Sequence, residues 1–107
     1  MKIAEVTETK IIFDNGSTIS YDHCPDCCEY NWADFSVLNE NVVNYDYDFP
    51  TKLKFKAVNE AGFKFGCAGH WIFIPCYSDQ NGYYSTDIDI YFNDKNVISF
   101  DAEFRYN

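Results

Sequence analysis

Three of the five cysteines lie in one short segment of the sequence, residues 23–28, together with a histidine. The segment contains a C-x2-C pair, and a glycine-bearing loop further on contains a C-x2-H pair. Thiolate and imidazole are the ligands that Zn²⁺ prefers in tetrahedral structural sites, so the two pairs together predict a zinc site. The predicted ligands are Cys24, Cys27, Cys67 and His70. The alternative ligands are His23, Cys28 and Cys76.

Two other interpretations of the same cysteines remain open. The simpler one, which we favour, is that they are small apolar side chains and that the protein binds no cofactor, because cysteine is among the residue types most often buried. The other is a thiol enzyme, in which His23 or His70 activates Cys27 or Cys28 as a nucleophile. No known local signature of a cysteine enzyme surrounds these residues, so we expect a protein that is not an enzyme.

Two predicted tight turns define the later part of the chain. Asn81-Gly82 is typical of a type I′ hairpin turn, which would pair Phe73 with Ile90 and place Trp71 and Phe73 on an apolar face. A second turn at residues 94–96 would pair Ile90 with Phe100. The pattern therefore predicts three consecutive antiparallel strands over residues 71–104.

Acidic residues gather on the opposite side of these predicted strands. In this register Asp87 faces Glu103 and Asp89 faces Asp101, and like charges directly opposite each other destabilise a sheet. Either a lysine ladder (Lys52, Lys54 and Lys56) or a basic surface on a partner would offset the repulsion. Tyrosines nearby add side chains of the kind enriched at interfaces. The predicted binding residues are Asp87, Asp89, Asp101, Glu103, Tyr83, Tyr84 and Tyr91.

The composition indicates an all-β or β-rich α+β fold. Aromatic residues make up 20% of the chain, and alternating apolar residues predict strands at 3–7, 10–14, 17–21 and 52–58. One short helix is expected after Ser36, which would cap it. The prediction is a single domain over residues 1–107, with one antiparallel, curled sheet and one short helix.

The net charge of −9 excludes some partners. Binding to a phosphate backbone needs clustered lysine and arginine, so we expect no direct contact with nucleic acid. No apolar run is long enough to cross a membrane, and no signal peptide is apparent. We therefore expect a cytoplasmic protein with free thiols and a basic protein partner.

The segments Asp26-Cys27-Cys28-Glu29 and Asn81-Gly82-Tyr83-Tyr84-Ser85 occur in this order, with His23 before the first. In these D-C-C-E and N-G-Y-Y-S motifs the chain resembles a family of small uncharacterised bacterial and phage proteins, classed as a domain of unknown function. The resemblance implies no known activity. Together with the acidity it suggests a phage- or prophage-type inhibitor or regulator, of the anti-defence kind, that masks a basic surface of a host protein.

Overall fold

The structure is a computed structural model, and it describes residues 1–22, 29–82 and 85–106. The described residues form two five-stranded sheets, so the predicted β-rich class is confirmed and the predicted single sheet is wrong. The strands are β1 (Ile3–Val6), β2 (Lys10–Phe13), β3 (Thr18–Tyr21), β4 (Glu29–Ala33), β5 (Lys54–Val58), β6 (Gly62–Cys67), β7 (His70–Gln80), β8 (Asp87–Phe92), β9 (Lys95–Asp101) and β10 (Glu103–Tyr106).

The first sheet has the strand order β1-β2-β3-β8-β9. Its first three strands correspond to the predicted strands at 3–7, 10–14 and 17–21 and pair antiparallel in order, and Gly16 has a φ of 87° at the turn between β2 and β3. Ile11 pairs with Ile19, and both are fully buried. Buried residues recur at every second position in β2 and β3, so one face of the sheet is directed towards the core.

The β8–β9 hairpin differs from the prediction by a shift in register. Its turn is formed by Asn93 and Asp94, with φ of 51° and 67°, the two positive values that a type I′ turn needs. Ile90 therefore pairs with Ile98, and the predicted pairing of Ile90 with Phe100 is wrong. The register differs by two residues, so the side chains keep their faces and Ile90 remains buried.

The second sheet has the order β10-β7-β6-β5, with β4 also paired to β7. The first part of β7 pairs with β6, and the part from Cys76 to Gln80 pairs with β4. β10 pairs with β7 in parallel, and every other strand pair among the described residues is antiparallel. The eleven residues of β7 thus hold several strands together.

The predicted hairpin between β7 and β8 is wrong, because the two strands belong to different sheets. Gly82 has a φ of 99°, but Asn81 does not adopt a positive φ, so no type I′ turn forms there. The predicted pairing of Phe73 with Ile90 is therefore also wrong. In β7 the alternate residues Ile72 and Ile74 are buried, whereas Phe73 is 40% exposed, so the predicted apolar face of this strand is inverted.

Two 3-10 segments, Phe35–Glu40 and Val42–Tyr45, occupy the place of the predicted short helix. The cap of the first is Asp34, whose Oδ1 accepts a hydrogen bond from the Ser36 backbone N–H at 3.1 Å, so the predicted cap at Ser36 is wrong. Nowhere in residues 1–22, 29–82 and 85–106 does a helix have the length and apolar character needed to span a membrane.

One apolar cluster receives side chains from both sheets and from the first 3-10 segment. Ring contacts connect the layers: Phe63 of the second sheet lies 6.2 Å from Phe100 of the first, and Phe49 lies 5.7 Å from Phe65. The largest fully buried aromatic side chains are Phe13, Phe35, Phe49, Phe63 and Phe65. Burial of such side chains contributes most of the stabilisation of a domain of this size.

The buried side of β7 becomes polar at its end. Ser78 and Gln80 are fully buried, and Gln80 Nε2 donates to Ser78 Oγ at 2.7 Å and to the Ser85 carbonyl at 3.1 Å. Ser78 Oγ donates to Asn31 Oδ1, and Asn31 Nδ2 donates to the carbonyls of Ser85 and Asp87 at 3.1 and 2.8 Å. This polar network connects β4 and β7 of the second sheet to the start of β8 in the first.

Candidate functional site

Three of the four predicted acidic residues lie on the side of β8 and β9 that faces away from the core. Asp87 and Asp101 are directly opposite each other, and Asp89 is opposite Ser99, whose Oγ donates to Asp89 Oδ1 at 2.6 Å. The three acids line a shallow depression of about 480 Å³. We call Asp87, Asp89 and Asp101 the acidic face.

The pairing within the acidic face differs from the prediction. Asp101 is opposite Asp87, so the predicted pairs Asp89–Asp101 and Asp87–Glu103 are both wrong. The cause is the two-residue difference in register between β8 and β9 described above. Glu103 lies in β10 of the second sheet, opposite Tyr77. It lines a neighbouring depression of about 360 Å³ together with Asp101, and therefore remains close to the acidic face.

The lysine ladder does not neutralise the acidic face. Lys54 and Lys56 lie in β5, and Lys56 Nζ is 4.8 Å above the ring of Trp71. In the described part of the chain no ion pair includes Asp87, Asp89 or Asp101. Thr86 Oγ1 donates a hydrogen bond to Asp101 Oδ1 at 2.9 Å, but a neutral hydroxyl does not remove the repulsion between the opposed carboxylates.

Of the three predicted tyrosines, the structure places Tyr91 beside the acidic face. Partial burial and the nearby carboxylates of Asp89 and Asp22 raise the pKa of the Tyr91 hydroxyl above its ordinary value. The protonated, uncharged hydroxyl is thus the form present at neutral pH. Tyr83 and Tyr84 lie outside the described residues.

Two of the predicted zinc ligands, Cys67 and His70, are paired across the β6–β7 turn. Tyr47 contacts both: its hydroxyl is 3.3 Å from Cys67 Sγ, and its ring stacks on the His70 ring at a centroid distance of 3.7 Å. His70 Nε2 is buried without a hydrogen-bond partner, and among the described residues no group of three metal-ligating side chains forms. The other two predicted ligands, Cys24 and Cys27, lie outside the described residues.

Zinc therefore stays a prediction, which the metal content of the purified protein would test. Cys76 is far from this pair: it lies six residues along β7 from His70, roughly 20 Å at about 3.3 Å per residue. A metal held by Cys67 and His70 is beyond its reach. The remaining alternatives, His23 and Cys28, lie outside the described residues, as does the predicted thiol nucleophile at Cys27 or Cys28.

Cys76 is expected to be unreactive in the folded protein. Its side chain is fully buried, its Sγ donates to the Ile74 carbonyl at 3.7 Å, and burial raises the pKa of its thiol above the ordinary value. Because the thiolate is the reactive form, iodoacetamide at neutral pH should label the partly exposed Cys67 and leave Cys76 unlabelled until denaturant is added. Mass spectrometry of chymotryptic peptides would measure this, and rapid native labelling of Cys76 would contradict its placement.

The structure also contains a groove that the sequence analysis missed. It has a volume of about 490 Å³ and lies beside β4 and the first 3-10 segment. We call it the aromatic groove, and its main side chains are Glu8, Tyr21, Tyr30, Trp32, Asp34 and Asp79. The available sequence signal was that Tyr30 and Trp32 are two positions apart, because residues at this spacing in a strand share one face.

The wall of the aromatic groove belongs to a row of stacked side chains. The rings of Tyr30 and Trp32 are nearly parallel at 6.1 Å, and Trp32 lies 5.1 Å from Tyr77. At the far end Arg105 Cζ is 4.8 Å from the Tyr77 ring, and its Nε is 3.5 Å from Asp79 Oδ1. The other oxygen of Asp79 accepts a hydrogen bond from Trp32 Nε1 at 2.8 Å, which fixes the indole.

The inner wall is formed by Tyr21, which is almost fully buried. Burial, and after it a hydrogen bond with Tyr30, raises the pKa of the Tyr21 hydroxyl above its ordinary value. The Tyr21 hydroxyl also donates to the Glu8 carbonyl at 3.2 Å. The wall is therefore neutral at physiological pH, and the negative charge of the groove comes from its carboxylates.

The chain was compared with protein-family models, with curated proteins and with solved structures, and none of these comparisons gave a match. The acidic face and the aromatic groove are therefore the features from which a role can be inferred.

Proposed function

We propose that the protein is a non-enzymatic interaction protein that binds a basic surface of a partner protein through the acidic face. The observation that supports this most strongly is the direct opposition of Asp87 and Asp101, with no ion pair to either in the described part of the chain. Like charges in this arrangement reduce the stability of a sheet. Lysine or arginine side chains of a partner would remove that repulsion and gain favourable charge contacts.

The overall charge supports the same proposal. A net charge of −9 attracts basic surfaces over a distance and accelerates their association, while it disfavours contact with phosphate backbones. The resemblance to small bacterial and phage proteins favours a cytoplasmic host protein as the partner, one whose basic surface binds nucleic acid. Binding would mask that surface, and the protein would act as an inhibitor or regulator, with no cofactor.

The double substitution Asp87→Asn/Asp101→Asn tests this proposal. It removes the repulsion, so the free energy of unfolding measured with urea should rise by about 0.5–1 kcal/mol. It also removes two contact charges, so affinity for an immobilised peptide rich in lysine and arginine should fall about tenfold. Added salt should weaken wild-type binding in the same way, because exposed charges are strongly screened beyond about 10 Å at 0.1 M salt.

The double substitution Glu40→Gln/Asp46→Asn is the matched control. It removes the same charge from exposed positions beside the 3-10 segments, so it should change affinity for the basic peptide by less than about twofold. If the control weakens binding as much as the test variant, net charge alone explains the binding and the acidic face is not a specific site.

If only the test variant weakens binding, capture from a bacterial lysate at low and moderate salt would identify the partner, with the Asp87→Asn/Asp101→Asn variant as the comparison.

A further inference from the structure

The aromatic groove has the size and lining of a site for a cationic side chain. Its volume of about 490 Å³ lies within the range of ligand pockets. Tyr30 and Trp32 present ring surface, and Glu8 and Asp34 contribute carboxylates at its edge. None of the described residues that line the groove is a lysine or an arginine. The charge of the groove is therefore complementary to a cation.

Aromatic rings strengthen this complementarity. The face of an aromatic ring carries partial negative charge and attracts a cation within about 6 Å of its centre, tryptophan most strongly. Trp32 is held in place by its hydrogen bond to Asp79 and by stacking against Tyr30, so a bound cation would meet a surface that is already ordered. Little conformational entropy would be lost when the ligand binds.

The chain itself shows which cation this surface accepts. Arg105 lies at the next position of the same aromatic row, with its guanidinium over Tyr77 and its Nε near Asp79. A guanidinium is planar, stacks on rings and at the same time bonds to a carboxylate, which a lysine ammonium does less well. Arg105 contacts the Tyr77 ring at one end of the row, and the Tyr30 ring at the other end faces the groove.

The carboxylates at the open end are available for such a ligand. The Glu8 side chain is exposed and makes no hydrogen bond or ion pair with the described residues. Asp34 uses Oδ1 to cap the 3-10 segment through Ser36, and its Oδ2 accepts no hydrogen bond from the described residues. A guanidinium stacked on the rings would therefore find two acceptors without breaking an existing contact.

We propose that the aromatic groove binds an arginine side chain in an extended segment of a partner protein. The guanidinium stacks on the open face of the Tyr30 ring, next to Trp32, and the carboxylates of Glu8 and Asp34 accept its hydrogen bonds. This site is separate from the acidic face, and it does not depend on the function proposed for that face. It adds a specific recognition pocket to a protein whose charge alone would attract any basic surface.

The test uses three short peptides that are identical except for one residue, which is arginine, lysine or citrulline, flanked by glycines. Citrulline has the shape of arginine without its charge. Trp71→Phe leaves Trp32 as the only tryptophan, so indole fluorescence and the indole N–H signal in NMR report on the groove. The arginine peptide should shift both signals in a saturable way. The lysine peptide should bind several-fold more weakly, and the citrulline peptide at least about tenfold more weakly.

The variant Glu8→Gln/Asp34→Asn, made in the same background, should weaken binding of the arginine peptide about tenfold. Asparagine is also a good cap, so the 3-10 segment should be retained and the melting temperature should change little. Tyr30→Leu tests the ring separately and should weaken binding about fivefold without a change in charge. Glu40→Gln/Asp46→Asn removes the same charge from exposed positions outside the groove and should change the affinity by less than about twofold.

Four outcomes would overturn the proposal. Equal binding of the citrulline and arginine peptides would show that the groove recognises shape and not charge. Tighter binding of the lysine peptide would identify an ammonium site. Equal losses in Glu8→Gln/Asp34→Asn and in Glu40→Gln/Asp46→Asn would show a general effect of charge without a pocket. Loss in Asp87→Asn/Asp101→Asn without loss in Glu8→Gln/Asp34→Asn would support the acidic face and reject the groove, so the two proposals fail separately.

Discussion

Replacing Gly66 with alanine is expected to lower the free energy of unfolding by about 4 kcal/mol. Gly66 lies in β6 with a φ of +144°, which L side chains rarely adopt, and a Cβ there would be 2.1 Å from the backbone oxygen of His70. The Cβ would be fixed to the backbone of β6, and the His70 oxygen belongs to the backbone of its paired strand β7. The contact can therefore be relieved only if β6 and β7 separate. Urea denaturation followed by tryptophan fluorescence would measure the loss.

Gly69 in the same hairpin provides the control. It has a φ of +88°, but a Cβ added there would meet no atom within 4 Å. Gly69→Ala should therefore cost only the left-handed backbone conformation, about 1–2 kcal/mol. The difference between the two variants isolates the close approach of β6 to β7. Equal losses would show that backbone conformation alone explains the effect and that the strands do not approach as closely as described.

The start of the fold could be predicted from the sequence because its signals are local. The apolar residues Ile11 and Phe13 before Asn15-Gly16, and Ile19 and Tyr21 after it, recur at every second position, so the turn and the strand faces agree. The faces of β8 were also predicted correctly although the register with β9 was not. A shift of two residues preserves the face, because side chains alternate with a period of two.

The path of β7 could not be predicted, because its sequence lacks the alternation that selects a face. Trp71, Ile72, Phe73 and Ile74 are all apolar, so either set of alternate residues could be buried. Pairing with β6 and β4 decides between them, and β4 is distant in the sequence. The buried Gln80 bonds to Ser78 and to the Ser85 carbonyl, and Ser78 in turn bonds to Asn31, which is distant in the sequence.

The acidic face could be predicted from the sequence and the aromatic groove could not, and the reason is similar. The acids of the face lie in two strands that are neighbours in sequence and in space, so their approach follows from a hairpin. The groove instead brings together Glu8, which precedes β2, Trp32 of β4 and Asp79 of β7. These residues come from both sheets, and only the packing of one sheet against the other places them together.

The polar network of Asn31 connects these two surfaces. Asn31 lies in β4 between Tyr30 and Trp32, on the opposite side of the strand from the groove. Its Nδ2 donates to the carbonyl of Asp87, the first residue of β8 and a member of the acidic face. One amide side chain therefore ties the strand that forms the groove to the strand that carries the acids, across the boundary between the two sheets.

Asn31→Ala is therefore expected to lower the free energy of unfolding by about 3 kcal/mol, because the hydrogen bonds of Asn31 to Ser78, Ser85 and Asp87 are lost and the buried Ser78 hydroxyl loses its acceptor. Binding of the arginine peptide should weaken as well, since β4 would lose its attachment to β8. Urea denaturation would measure the loss of stability, and the Trp32 signal would measure the loss of binding.

Asn44→Ala is the control. The side chain of Asn44 makes no hydrogen bond with the described residues, so its loss should cost less than about 0.5 kcal/mol. Similar stabilities for the two variants would mean that the network does not hold the sheets together, and the position of β4 would then depend on its backbone pairing with β7 alone.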